Sequence, residues 1–260
     1  MQVRSISVVV PALNEADNIR QQVEKILAAL RDAKQMEIIY VDDGSDDNTA
    51  SELAELVSEN PQLRYIRHLK RYGQSTALLT GIRAAKFRWI ATLDGDGQNE
   101  PEDIPRLYGL LQSYGAEGKQ VMISGWRQSR QDNWLRRVSS RFANKVRQAL
   151  LKDTTPDSGC GIKLFSRELF LSLPYFDHMH RFLPALVLRA GGRVVSEPVS
   201  HYPRTRGTSK YGLSNRLWAG VYDLIGVAWL LRRSRLPVIV EYDSADGTST
   251  EPENGDGLVQ

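Results

Sequence analysis

The chain has 260 residues, 41% hydrophobic and 25% charged, the composition of an ordinary globular protein with one large core and room for an appendage. Its single cysteine, Cys160, excludes an internal disulfide and a cysteine-rich zinc site and fits a reducing cytoplasm. The net charge of +3 conceals two basic clusters, yet no RNA-binding signature, zinc-finger spacing or clear helix-turn-helix accompanies them, so nucleic acid is not an expected partner.

The N-terminal MQVRSISVVVPALNE has too short an apolar run for a signal peptide and passes directly into a strand, SISVVVPAL. DNIRQQVEKILAALRDA predicts an amphipathic helix capped by Asp17, and MEIIYVDDGS a strand ending in acids. DDNTASELAELVSEN (helix), LRYIRHL (strand), GQSTALLTGIRAA (helix) and FRWIATLDGDG (strand) follow. This alternation with short links predicts an α/β fold, a mostly parallel sheet with helices on both faces.

Beyond the strand VMISG the chain turns basic, with eight Arg or Lys against one acid, Asp132, over residues 126–152. Leu135, Val138, Phe142, Val146 and Ala149 fall at helical spacing there, which predicts an amphipathic helix with a cationic face. FLPALVLRA reads as a core helix, and His178 and His180 just before it as surface or packing residues rather than metal ligands. LWAGVYDLIGVAWLL, residues 217–231, is apolar nearly all round, but it contains Asp223 and is shorter than the roughly 20 residues that span a bilayer. Arg216, Arg232, Arg233 and Arg235 flank it and Trp218 and Trp229 lie near its ends, the pattern of an interfacial helix, with a core helix as the alternative. The acidic, apolar-poor EYDSADGTSTEPENGDGLVQ is expected to be disordered. The expected organisation is a catalytic domain over 1–210, an amphipathic membrane-interface region over 211–238 and a tail over 239–260.

In open α/β sheets ligands bind beyond the carboxyl ends of the strands, and three predicted strands end in reactive groups there: Pro11-Ala12-Leu13-Asn14-Glu15, Asp42-Asp43-Gly44-Ser45 and Asp94-Gly95-Asp96. Alone, each could be a turn or a helix cap. In extended backbone Asp94, Asp96 and Gln98 point to one side, and two anions held that close call for a cation. Neither G-x-x-x-x-G-K-[ST] nor G-x-G-x-x-G follows the first strand, so a bound nucleotide would have its diphosphate neutralised by a metal on acids.

VVVPALNEADNI, VDDGSDDNT, LKRYGQSTALLTGI, TLDGDGQNEPEDI and PRTRGTSKYG, in this order, resemble the family 2 glycosyltransferases of GT-A fold, nearest to the dolichyl- and polyprenyl-phosphate sugar synthases, over roughly residues 5–235. The resemblance assigns Pro11, Leu13, Glu15, Asp42 and Asp43 to the nucleotide, with Leu13 where many relatives carry Tyr. It assigns Asp94, Asp96 and Gln98 to Mg²⁺ or Mn²⁺ against the diphosphate, hard oxygen ligands for a hard cation. Arg127, Arg137 and Arg141 match arginines around phosphates, and Arg206, Ser209 and Lys210, within R-x-x-G-x-S-K-Y, match the cradle of a lipid phosphate. Residues 157–161 resemble the acceptor loop D-x-S-G-F-R, but Cys160 and Gly161 replace Phe and Arg, and no role follows for them.

The resemblance implies an inverting transferase that moves a sugar from a nucleotide-sugar donor, UDP favoured over GDP, to a polyprenyl phosphate at the cytoplasmic membrane face, in envelope-glycan or lipid A modification. Asp94, Asp96, Arg127, Arg206 and Lys210 would carry catalysis. A soluble transferase acting on a sugar hydroxyl, and an inactive nucleotide-sugar-binding adaptor, are the alternatives. The sequence leaves the oligomeric state open.

Overall fold

A computed structural model of the chain describes residues 3–127, 147–148, 150–202 and 213–233, with the side chains of the last helix described from residue 222. Seven strands form one sheet in the order β3-β2-β1-β4-β6-β5-β7. Its first half is β1 (Ser5–Ala12), β2 (Gln35–Asp42), β3 (Leu63–Arg67) and β4 (Trp89–Thr92), all parallel. β6 (Lys163–Ser166) runs antiparallel between β4 and β5 (Val121–Arg127), and β7 (Arg193–Val199) pairs parallel with β5 at the edge.

Three crossover helices link the parallel strands: α1 (Ala16–Ala29), α2 (Thr49–Glu59) and α3 (Gln74–Ala84). The first two crossovers add strands on one side of β1 and the third returns to the other side. The switch in direction opens a crevice at the carboxyl ends of β1 and β4, the place where such sheets bind ligands. The two-residue period of the strands divides the core. Ile6, Val8 and Val10 join Ile38 and Tyr40 under α1, α2 and α4 (Asp103–Ser113). Val9, Ile39 and Val41 face α3, α5 (Arg167–Ser172) and α6 (Leu183–Arg189).

Two expectations change in detail. α1 begins at Ala16 with Glu15 at its N-cap position, and Asp17 lies in the first turn rather than at the cap. The cause is Asn14, whose left-handed φ of 54° turns the chain early. The apolar stretch at 217–231 lies within the longer α7 (Leu213–Arg233), and no described helix is long and apolar enough to cross a membrane. Leu224, Val227, Ala228 and Leu231 of α7 pack on the second core, while Tyr222, Ile225 and Trp229 are exposed. Asp223, the acid in that apolar run, faces His178 Nδ1 at 3.1 Å. The helix thus combines the core-helix reading on one face with an outward aromatic face.

Candidate active site

The loops after β1 and β2 are fastened to each other. Ser45 Oγ accepts from the Asn14 amide at 2.9 Å, Asn14 Oδ1 accepts from the Asp46 amide at 2.9 Å, and Thr49 Oγ1 accepts from the Glu15 amide at 2.9 Å. Pro11 is buried at the end of β1, while Leu13 and Glu15 are half-buried on the loop beyond it. Glu15 accepts from Asn18 Nδ2 at 2.8 Å. Asp42 is fully buried, accepts from the Ser45 amide at 2.9 Å, and has its second oxygen 3.2 Å from Arg67 Nε without hydrogen-bond geometry.

Asp43 does a different job from its neighbour. Its carboxylate accepts from the Tyr72 and Gly73 amides at 2.9 and 2.7 Å and lies 2.7 Å from His68 Nδ1, whose Nε2 lies 3.0 Å from Thr80 Oγ1. It anchors the 68–73 loop against the 42–45 loop. The approach is so close that a Cβ on Gly44, at φ 76°, would lie 2.5 Å from the Lys70 carbonyl carbon, so only glycine fits.

Asp94 stands at the end of β4, held from several elements. Its amide donates to Asn99 Oδ1 at 2.9 Å, its carbonyl accepts from Gln22 Nε2 at 2.6 Å, and its Oδ1 accepts from Gln74 Nε2 at 2.9 Å. Gln22 is in turn fixed by the buried Tyr40 hydroxyl at 3.0 Å. Asp96 Oδ1 accepts from the Gln98 amide at 3.2 Å, and the Gln98 side chain donates to the Tyr202 carbonyl at 3.3 Å, which identifies the other end of that amide as its oxygen. Asp94, Asp96 and Gln98 are all half-buried.

Burial first and the Asp96 charge second push the Asp94 carboxyl up to about 6, against the opposing pull of Lys163, Arg127 and Gln74. Asp94, whose charge is disfavoured by burial and by its neighbour, forms with Asp96 and the Gln98 amide oxygen a donor set suited to a hard divalent cation. Among the described residues no three His, Cys, Asp or Glu side chains converge on one point. A cation here would therefore take further ligands from outside the protein, as one bridging a diphosphate does.

The loop at 157–161 closes the other wall. Arg127, at the end of β5, binds Asp157 through Nε at 2.6 Å and Nη2 at 2.9 Å. Burial works against the guanidinium, and the hydrogen-bonded Asp157 carboxylate, Cys160 and Asp94 together more than offset it, so its pKa lies above the ordinary value. Lys163, buried at the start of β6, donates to the Cys160 carbonyl, and burial lowers its pKa. Gly161 passes directly over Asp94: a Cβ there would stand 2.3 Å from Asp94 Oδ2 and 2.6 Å from Asn99 Oδ1.

Behind Asp94 lies a cavity of about 180 Å³ whose wall includes Gln74, Lys163, His180 and Arg181 above an apolar floor of Leu78, Leu93 and Leu183. His180 Nδ1 is 2.8 Å from Ser75 Oγ, and its pKa falls to about 3 through burial first and the Arg181 and Lys163 charges after it. His180 is thus a neutral wall residue at ordinary pH, and His178 pairs with Asp223 on α7, as packing roles require.

The structure gathers Pro11, Leu13, Glu15, Asp42, Asp43, Asp94, Asp96, Gln98 and Arg127 around the sheet's carboxyl edge. Arg137, Arg141, Arg206, Ser209 and Lys210 lie outside the described residues. Gln22, His68, Lys163 and Arg181 are additions that no motif announced, while Gln74 and Gly161 lie in stretches that carry the resemblance, LKRYGQSTALLTGI and residues 157–161, without a role assigned to either.

The model of the family described as "Glycosyl transferase family 2" matches residues 7–173. The chain belongs to glycosyl transferase family 2. This glycosyltransferase is 34% identical over 237 residues to a dodecaprenyl-phosphate galacturonate synthase of Rhizobium johnstonii, covering 89% of this chain and 69% of that one. It is also 34% identical over 226 residues to an undecaprenyl-phosphate 4-deoxy-4-formamido-L-arabinose transferase of Edwardsiella ictaluri, covering 86% and 67% respectively. Its fold matches a mannosyltransferase from Pyrobaculum calidifontis solved with GDP-Man and Mn²⁺, at TM-score 0.63 and 22% identity, over 89% of this chain and only 65% of that one. Glucosyl-3-phosphoglycerate synthase from Mycobacterium tuberculosis, solved with Mn²⁺, UDP and phosphoglyceric acid, matches at TM-score 0.63 and 23% identity over 95% of this chain and 86% of that one. The fold is that of the GT-A glycosyltransferases.

Proposed function

We propose that this glycosyltransferase moves a sugar from a nucleoside-diphosphate donor to a polyprenyl phosphate, with inversion at the anomeric carbon. The observation that carries the reading is the half-buried Asp94 and Asp96 pair at the sheet's switch point. It occurs in a chain two of whose curated relatives are named for polyprenyl-phosphate sugar chemistry. Leu13, Glu15 and Asp42 would receive the nucleoside over the buried Pro11, and Asp43 would hold the 68–73 loop that completes this wall. Mg²⁺ or Mn²⁺ held by Asp94, Asp96 and Gln98 would supply Lewis-acid stabilisation of the departing diphosphate.

In the transfer, an acceptor phosphate oxygen attacks the anomeric carbon as the bond from that carbon to the diphosphate oxygen breaks in line, and the nucleoside diphosphate leaves. The attacking phosphate is already anionic, so it needs orientation and charge compensation more than deprotonation. Arg127 offers fixed positive charge beside Asp94, and on sequence grounds Arg137 and Arg141 are assigned to phosphates and Arg206, Ser209 and Lys210 to the lipid phosphate. A sugar-hydroxyl acceptor calls instead for a base tuned near the working pH. His180, with a pKa of about 3, is too weak a base for that task.

The outward face of α7 presents Tyr222, Ile225 and Trp229, followed by Arg232 and Arg233. Aromatic side chains beside cations favour peripheral attachment to an anionic membrane surface, the cytoplasmic face in this reading. Purified protein with Mn²⁺, labelled UDP- and GDP-sugars and detergent-dispersed undecaprenyl phosphate tests the proposal. The expected product partitions into the organic phase with an inverted anomeric configuration. Label on a free sugar or glycan, with polyprenyl phosphate inert, would favour the soluble hydroxyl transferase instead.

A further inference from the structure

The cavity behind Asp94 has an uneven charge inventory. Of the charged groups on its wall, Asp94 and Lys163 are near enough to act on each other's charge, and Lys163 also donates to the Cys160 carbonyl. Nearby, Arg127 and Asp157 form a closed bidentate pair. Arg181 remains. Its side chain is half-buried on the cavity wall, and among the described residues no acid pairs with it. A partly desolvated guanidinium without a counter-ion is costly, and the ligand of such a site commonly supplies the missing charge.

His180 contributes a donor to the same wall. Ser75 Oγ accepts from the His180 backbone amide at 3.2 Å and lies 2.8 Å from its Nδ1. The fully buried Ser75 hydroxyl finds its acceptor in Nδ1, which leaves the imidazole proton on Nε2. The cavity therefore combines an apolar floor, a neutral N–H donor, the amide of Gln74 and one excess cation. At about 180 Å³ it suits a single ring rather than a larger ligand.

We propose that this cavity receives the sugar ring of the donor and that Arg181 makes it selective for a sugar bearing a carboxylate, a hexuronic acid. The proposal rests on the reading of the chain as a nucleotide-sugar transferase. Asp94 forms part of the cavity wall, so a ring here sits beside the carboxylates that serve the diphosphate. The planar guanidinium fork binds a carboxylate through two parallel N–H bonds, which a hydroxymethyl group cannot accept. The apolar floor of Leu78, Leu93 and Leu183 faces the C–H surface of the ring.

The test is calorimetric binding in Mn²⁺ of UDP-galacturonate against UDP-galactose, GDP-mannuronate against GDP-mannose, and UDP and GDP alone. Wild type, Arg181→Met and Arg181→Lys are compared. Wild type should bind the uronate of at least one pair tenfold or more above its neutral partner. Arg181→Met should abolish that preference without changing the affinity for the free nucleotide, and Arg181→Lys should restore part of it. Free nucleotide binding with no uronate preference overturns the selectivity alone. So does an equal loss for uronate, neutral sugar and free nucleotide in Arg181→Met, which would place Arg181 on the diphosphate. If none of the six compounds binds, the donor reading falls together with this one.

Discussion

Asp94→Asn separates the cost of the candidate metal site from its use. The Asp94 carboxyl titrates near 6 in the folded protein, against an ordinary value of 3.8, because burial first and Asp96 second oppose its charge. The folded state therefore holds this proton more tightly than the unfolded chain does. The sign follows: the metal-free protein is favoured below about pH 4 and loses that stability as pH rises to about 6, by about 3 kcal/mol in all. Asparagine keeps the shape and removes the charge. Urea unfolding in EDTA should find Asp94→Asn up to about 3 kcal/mol more stable than wild type at about pH 8, with the gap closing towards pH 4. Mn²⁺ with UDP or GDP should raise the wild-type midpoint and leave the variant unmoved. A variant no more stable than wild type at about pH 8, or a gap that ignores pH, would refute the argument that burial and the Asp96 charge disfavour the Asp94 carboxylate in the metal-free protein.

Gly161→Ala places a methyl 2.3 Å from Asp94 Oδ2, so it should cost about 1–3 kcal/mol of thermal stability and about 100-fold in turnover by displacing Asp94; unchanged kinetics would mean that the loop moves freely. Asp43→Asn should weaken the anchor on the Tyr72 and Gly73 amides, and hydrogen exchange at those two sites should quicken while the β1 amides stay protected. Trp229→Ser combined with Tyr222→Ser should reduce pelleting with anionic liposomes without altering the unfolding midpoint, because both side chains point away from the core. Loss of the fold in that double variant would show the outward face to be structural.

The alternation of strand and helix was legible because it depends on local periodicity. SISVVVPAL became β1, and the ends of β1, β2 and β4 delivered their reactive residues to one edge, as the parallel crossovers require. Asp94, Asp96 and Gln98 announced themselves because their spacing and oxygen chemistry are written along a single segment. The cap of α1 lies two residues earlier than the sequence reading, at Glu15 rather than Asp17, because the turn at Asn14 is braced by Ser45 and Asp46 of a different loop. Likewise, hydropathy alone left residues 217–231 between a core helix and an interfacial one. Packing of Val227 on one face supports the core-helix reading, and the exposed Trp229 lies on an outward face.

The remaining site residues depend on long-range contacts and carry no local signal. Asp42 and Asp43 look equivalent in VDDGS, yet one is buried beside Arg67 and the other anchors a loop through the Tyr72 and Gly73 amides and His68. Gln22 reaches Asp94 across 72 positions of sequence, and Ser75 meets His180 across 105. The sequence determined the elements, the edge at which they end and the hard-oxygen chemistry gathered there, because side-chain period and ligand type are properties of short segments. Which carboxylate anchors a loop, which cation has no acid paired with it among the described residues and where a glycine must let two loops touch were decided only when the chain folded, because charge balance and steric clearance exist between segments and not within them.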